Sequence, residues 1–272
     1  MPRGRPALAS LLIAISVAAG LTAGGSAAQE VPPPPPPPFE LTGSSIHPGN
    51  AFFDAKRPVR LTFRFSSETP TNLAIELRKG RRTVETWREQ GSDPSVPHQI
   101  TWEPDGRPDS GRLSFRVGPE GGVTRPAERF RLFDHRFPIP ASHSYGDRFG
   151  VPRSGGRVHE GQDMWASCGA PLVAARGGTV QAKGYSGALY GHYLTIDGAA
   201  TERDYFYAHL ASSPPLGKGD RVRTGKRIGS VGKTGNARGE GCQLHFELWP
   251  SGWRDGHPVD PLHELRRWDS WS

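Results

Sequence analysis

Apolar residues in this chain recur at every second position, in runs too short for helices. Val59-Arg-Leu-Thr-Phe-Arg-Phe65 alternates apolar with polar, and so do Leu73-Ala-Ile-Glu-Leu77 and Leu113-Ser-Phe-Arg-Val117. Successive side chains of an extended strand point to opposite faces, so this period gives a sheet one apolar side. The runs stop at Gly, Pro, Asn and Asp, and 35 glycines and 27 prolines in 272 residues leave little room for long helices. The expectation is an all-β chain whose one-faced sheets bury their apolar sides against each other.

Residues 1–28 have the layout of a secretory signal peptide: Arg3 and Arg5 at the start, an apolar run from Leu8 to Leu21, and small residues Ser26-Ala27-Ala28 before a cut. The run is short for a membrane span of about 20 residues. No cysteine follows it to carry a lipid anchor. A secreted, wall-associated or periplasmic protein without a stable membrane span after signal removal is expected. Residues 29–43 read as a proline-rich linker, because the unbroken run Pro32 to Pro38 forms an extended polyproline II rod that acts as a stiff spacer. The formal charge of +7 suits a polyanionic partner such as an anionic cell wall. No aromatic-plus-basic module points to nucleic acid, which is left out of the expected partners.

Residues 44–135 carry the first set of strand candidates. Gln99-Ile-Thr-Trp102, then Asp105-Gly106-Arg107-Pro108 and Gly111, reads as strand, turn, strand. The Trp, the Asp-Gly and the following Gly resemble the last hairpin of the immunoglobulin-like module in the flagellar-hook protein FlgD, which implies an Ig-like β-sandwich. No His, Cys or carboxylate cluster with ligand spacing occurs here, so this domain is expected to position or bind rather than to catalyse.

Phe137-Pro-Ile-Pro-Ala141 opens a second domain, residues 136–272, and Ser142 to Gly156 reads as an irregular loop. Strand candidates follow at Pro171 to Ala175, Gly178 to Tyr185, Tyr193 to Asp197, Tyr205 to Leu210, Arg227 to Val231 and Gln243 to Leu248. His159 and Asp163 are an imidazole and a carboxylate separated by a glycine, and His245 lies within an alternating run. Two imidazoles and one carboxylate are a common catalytic zinc set that leaves a fourth position for water. The alternative is a surface pair and a buried packing residue.

Four motifs then appear in order: His159-x-Gly-x-Asp163; Tyr207-Ala-His209-Leu210; Gly219-Asp-Arg-Val222 through Gly229-Ser-Val-Gly-Lys-Thr-Gly235-Asn236; and Leu244-His245-Phe246-Glu247, with Pro258-Val-Asp-Pro261 after them. Together they resemble the lysostaphin/LytM-type zinc metallopeptidases. The resemblance implies an antiparallel sheet whose groove holds one zinc ion on His159, Asp163 and His245, and hydrolysis of peptide cross-links in peptidoglycan. It implies a catalytic role for His209 as well. The family has His-x-His where this chain has Gln243-Leu-His245. Glutamine can donate or accept a hydrogen bond but cannot exchange a proton near neutral pH. Loss of a general acid or base costs about 10²- to 10⁴-fold in rate. Gln243 therefore opens a second reading, a metal-retaining but weakly active or inactive wall-binding or regulatory protein.

Tyr190 and His192 are candidates to line the groove, and His257 and His263 are read as surface or packing residues. Glu247 either faces away or orients a ligand His. Cys168 and Cys242 form an even pair, most simply a disulfide in an exported protein, with a zinc–thiolate site or two unpaired buried thiols as alternatives. A lipoyl-type carrier, which shares the Gly219 to Val222 pattern, is set aside because no exposed lysine sits at a matching hairpin tip.

Overall fold

The computed structural model describes residues 39–104 and 110–272. The signal peptide, the proline run and the Asp105–Pro108 turn lie outside the described residues. In chain order the first half forms β1 (Glu40–His47), β2 (Asn50–Phe52), β3 (Val59–Ser66), β4 (Thr71–Lys79), β5 (Arg82–Ser92), β6 (His98–Trp102), β7 (Gly111–Pro119) and β8 (Arg125–Phe133). They make two sheets, β1-β3-β6 and β2-β8-β7-β4-β5. The alternating runs deliver one residue in two to a shared interior. Leu61, Phe63 and Ile100 of the first sheet meet Ile75, Phe115 and Phe130 of the second in one buried cluster. This is the expected sandwich. One pairing departs from an antiparallel pattern: β2 runs parallel to β8.

The second half continues with β9 (His143–Tyr145), β10 (Gln162–Ala166), β11 (Pro171–Val173), β12 (Gly178–Ser186), β13 (Gly191–Gly198), β14 (Asp204–Leu210), β15 (Arg221–Val222), β16 (Arg227–Ser230), β17 (Gln243–Trp249) and a short helix α1 (Leu262–Asp269). The main sheet has the order β15-β12-β13-β14-β17-β10-β9, with β11 and β16 paired beside it. Every neighbouring pair in the main sheet is antiparallel. Leu244, Phe246 and Leu248 of β17 join Tyr205 and Tyr207 of β14 in a second buried cluster. Burial of each such side chain is worth about 1.5–3 kcal/mol. The other faces of these two strands are also buried, since all residues of β14 and β17 are. A polar site occupies that second side.

Several elements lie outside the alternating runs: β1 starts at Glu40 within the stretch read as linker, with Phe39 already in the sandwich core, β9 lies within the stretch read as an irregular loop, and β2, β5, β8 and β15 carry no clean alternation. β10 lies between a histidine loop and a disulfide half, and its Asp163 interrupts any apolar period. α1 buries only Leu265 and Trp268, too few for a helical stripe to stand out. It nonetheless covers the seam between the two halves. Trp268 stacks on His135 with centroids 4.3 Å apart, and Trp271 beyond the helix stacks on Phe133 at 4.6 Å. Arg176 crosses the same seam, lying over the Phe53 ring and donating to the Asp134 carbonyl at 3.1 Å.

Cys168 and Cys242 are joined by a disulfide, with a sequence separation of 74. One half follows β10 and the other directly precedes β17, so the bond ties together the ends of two paired strands. In the chain-entropy view a crosslink across a loop of this length removes about 4 kcal/mol of freedom from the unfolded chain. Urea unfolding with and without a phosphine reductant should show a stability loss of about 2–5 kcal/mol on reduction, and Cys242→Ser should reproduce it without reductant.

Candidate metal centre

The pairing of β10 with β17 sets Asp163 directly opposite His245. Residues directly opposite in a sheet point to the same face, so the carboxylate and the imidazole share the side away from the core. His159 comes from the loop before β10, held there by its backbone N–H to the Val151 carbonyl at 2.8 Å. That loop passes close to β17 at Gly161. A Cβ there would lie 2.4 Å from the Phe246 carbonyl oxygen and 2.8 Å from His245 Cε1, so only glycine fits.

The three side chains converge. His159 Nε2 is 2.9 Å from His245 Nδ1 and 3.2 Å from Asp163 Oδ1, and His245 Nδ1 is 2.9 Å from the same oxygen. One potential ligand atom from each lies within 4.8 Å of the others. Each imidazole has its far nitrogen engaged. His159 Nδ1 donates to the Arg148 carbonyl at 2.7 Å, and His245 Nε2 donates to Glu247 at 2.9 Å. That fixes the tautomers and turns the other nitrogen of each ring toward the centre. Three acceptor atoms at hydrogen-bond distance repel unless a cation lies among them. A proton on His245 Nδ1 answers this in one direction only, whereas a metal ion answers it for all three. The nitrogen and oxygen donor set, buried and oriented in this way, fits zinc.

Glu247 sits two residues from His245 on the same strand face, so of the two readings of this residue the facing-away one is excluded. It takes hydrogen bonds from His245 and from Trp249 Nε1 at 2.7 Å. Burial lowers the His245 pKa, but the Asp163 and Glu247 carboxylates more than offset this and carry it up to about 9. For Asp163 burial raises the pKa, and hydrogen bonds from His159 and His245 overcome it, leaving the group well below the ordinary carboxylate range.

His209 lies near the end of β14, where the pairing with β13 shifts register, and its φ of 60° is in the left-handed region. A non-glycine residue there is costly, and such strain tends to mark functional sites. Its Nδ1 donates to the Thr234 carbonyl at 2.9 Å, which leaves Nε2 as an acceptor facing the groove. Its ring centroid is 5.9 Å from that of His245. Burial and the neighbouring His245 push its pKa down to about 4. Gln243 is two residues before His245 on the same face, opposite Trp165 of β10. It is buried, and its side-chain Oε1 has no hydrogen-bond partner.

All five expected site residues therefore line one cavity of about 250 Å³, together with Tyr190 and Trp165. His192 instead packs on Tyr185 with centroids 4.7 Å apart. His257 and His263 are exposed. Sequence reasoning missed Arg153, which bridges Asp147 at 2.7 Å and Asp163 Oδ2 at 3.4 Å and so steadies the outer carboxylate oxygen. No local pattern distinguishes it from the chain's other arginines.

Residues 157–261 match the model of peptidase family M23. Over these residues the chain is similar to that family. The matched region takes in β10 to β17 and all five expected site residues, leaving out the edge strand β9, and it supports the resemblance to LytM-type peptidases read from the four motifs. The L-Ala–D-Glu endopeptidase of Bacillus subtilis is 30% identical over 148 residues, 51% of this chain and 45% of the relative. The cell division protein DipM of Caulobacter vibrioides is 31% identical over 236 residues, 79% of this chain and 36% of the relative. The catalytic domain of lysostaphin from Staphylococcus simulans aligns with a TM-score of 0.42 and 26% identity, covering 46% of this chain and 92% of that one. The chain thus spans less than half the length of these two curated relatives. The likeness of the first half to the flagellar-hook module stays a reading of its sequence.

The pH dependence of the chelator-treated protein follows from these groups. His245 is raised from 6.5 to about 9, so its contribution to stability is full below pH 6.5 and is lost as pH rises through about 9. His209 is lowered from 6.5 to about 4, so its contribution is lost as pH falls from 6.5 through 4. Urea midpoints should therefore fall on both sides of pH 6.5, and Glu247→Gln should make the alkaline limb shallower while Asp163 keeps part of it.

Proposed function

We propose that this chain is an extracytoplasmic zinc-dependent endopeptidase that hydrolyses peptide cross-links of bacterial peptidoglycan. The observation that carries the reading is the convergence of His159, Asp163 and His245 within an M23 domain, each imidazole oriented by a partner on its far nitrogen. The Bacillus relative is an endopeptidase by its name, and DipM is a cell division protein by its name, both in keeping with action on the wall. The disulfide supports an oxidising compartment. Among the described residues no helix is long and apolar enough to cross a membrane.

His159, Asp163 and His245 would hold one zinc ion, which would supply Lewis acidity toward a water and a carbonyl oxygen. The remaining chemistry belongs to side chains. His209, neutral at pH 7 with Nε2 bare, accepts a proton from the attacking water. Gln243 offers its amide N–H groups to the oxygen that gains charge as the carbonyl is attacked. Glu247 and Arg153 hold His245 and Asp163 in register. Trp165 and Tyr190 give the groove apolar walls against which a peptide can lie.

A second reading draws on one observation. Gln243 Oε1 is buried without a partner, a poor arrangement for turnover and a good one for holding a peptide N–H. In that reading the groove binds wall peptides and seldom cuts them. Mass spectrometry of fragments released from cross-linked peptidoglycan separates the two. Zinc-loaded protein should release fragments, and chelation or His245→Ala should abolish release. Gln243→His should raise the rate by about 10²-fold or more if the amide limits turnover. Retention of protein on the wall with no fragments from either form would favour the binder.

A further inference from the structure

The outward side of the five-stranded sheet, remote in sequence from the M23 domain, carries arginines in positions that repel one another. Leu113, Phe115 and Val117 of β7 point into the sandwich core, so Arg112 and Arg116 face out. By the same alternation Arg129 and Arg131 of β8 and Arg78 of β4 face out beside them. Arg112 stands directly opposite Arg131, and Ser114 has Arg129 on one side and Arg78 on the other. Like charges directly opposite in a sheet are destabilising. Arg78 is paired with Glu76 at 3.4 Å, and Arg116 is held by Thr124. Arg112, Arg129 and Arg131 have no ion pair or side-chain hydrogen bond among the described residues, Arg131 only lying over the Phe133 ring at 5.2 Å.

We propose that this face binds a linear polyanion whose phosphate or carboxylate groups each accept a pair of hydrogen bonds. The cations are guanidinium groups, whose rigid fork matches oxyanions bidentately. Neighbouring side chains on this face stand roughly 5 Å apart across strands and roughly 7 Å apart along them, a lattice on which successive anions of an extended polymer can settle. Of the exposed large hydrophobic residues none stands on these strands. The face therefore has no wedge for a lipid surface and no ring on which nucleic-acid bases could stack. The proposal does not depend on the peptidase reading, because binding is measured without turnover.

Fluorescence anisotropy with labelled linear polyphosphate and labelled poly-L-glutamate, at about 50 and about 200 mM NaCl, tests it. Both polymers should bind, more weakly in high salt. The triple variant Arg112→Glu, Arg129→Glu, Arg131→Glu should lose about 10²-fold or more in affinity. A control with the same change in charge at exposed positions off this face, Arg60→Glu, Arg64→Glu, Arg221→Glu, should lose much less. Arg112→Gln with Arg131→Gln should keep or raise the melting temperature while weakening binding, which guards against a misfolded triple variant. Equal losses in the two triple variants would reduce the effect to net charge and overturn the proposal. Binding to phosphatidylglycerol vesicles with none to either polymer would overturn it as well.

Discussion

The register between β10 and β17 is the constraint on which the rest of the candidate site depends. A sheet has a side-chain period of two, so a slip of one residue would turn Asp163 or His245 toward the core and separate them. In the observed register the carboxylate and the imidazole are direct partners, with Gln243 and Glu247 on the same face one step to either side. The apolar residues between them, Leu244 and Phe246, are fully buried beneath the sheet. Burying those two in the core is what holds the polar set on the other side. The disulfide secures one end of the same pair of strands.

Holding three acceptor groups together in a dry place is costly, and the surrounding atoms offset that cost. The Arg148 carbonyl, the Glu247 carboxylate and the Arg153 guanidinium each take one outward-facing atom of the trio. Trp249 in turn fixes Glu247. Buried polar groups of this kind are stable only when each has a partner, since the same low dielectric that strengthens a satisfied bond penalises an unsatisfied one. Among the described residues that line the cavity, Gln243 is the exception, with an unpartnered buried carbonyl oxygen in the groove wall. An unsatisfied group at this position marks where a ligand would complete the network.

The sandwich and the second half of the chain meet around Asp134 and His135, under α1 and Trp271. Contacts there are aromatic stacks and an arginine over a ring rather than a continuation of either sheet. The apolar clusters on the two sides remain separate. On the outer face of the five-stranded sheet Arg78 and Arg116 have partners on their own sheet, while Arg112, Arg129 and Arg131 are paired with no acidic side chain among the described residues.

What the chain order alone determined is the strand content and the identity of the ligand candidates. Period-two runs such as Val59 to Phe65 and Gln243 to Leu248 carry their own geometry, because alternation is a property of the extended backbone. The ordered motifs around His159, His209 and His245 named the groups that meet. The same period of two puts Gln243 on the face of His245. Other features depended on the fold. Arg153 and Trp165 join the site only because a loop and a strand edge bring them there. Asp163 had to be placed on an interior strand before its opposition to His245 existed. The helix that covers the seam buries too few residues to stand out in sequence, and the opposed arginines are ordinary until β7 and β8 are paired. Alternation is local and can be read along a chain, whereas register, tautomer and burial arise only when segments far apart in sequence are packed together.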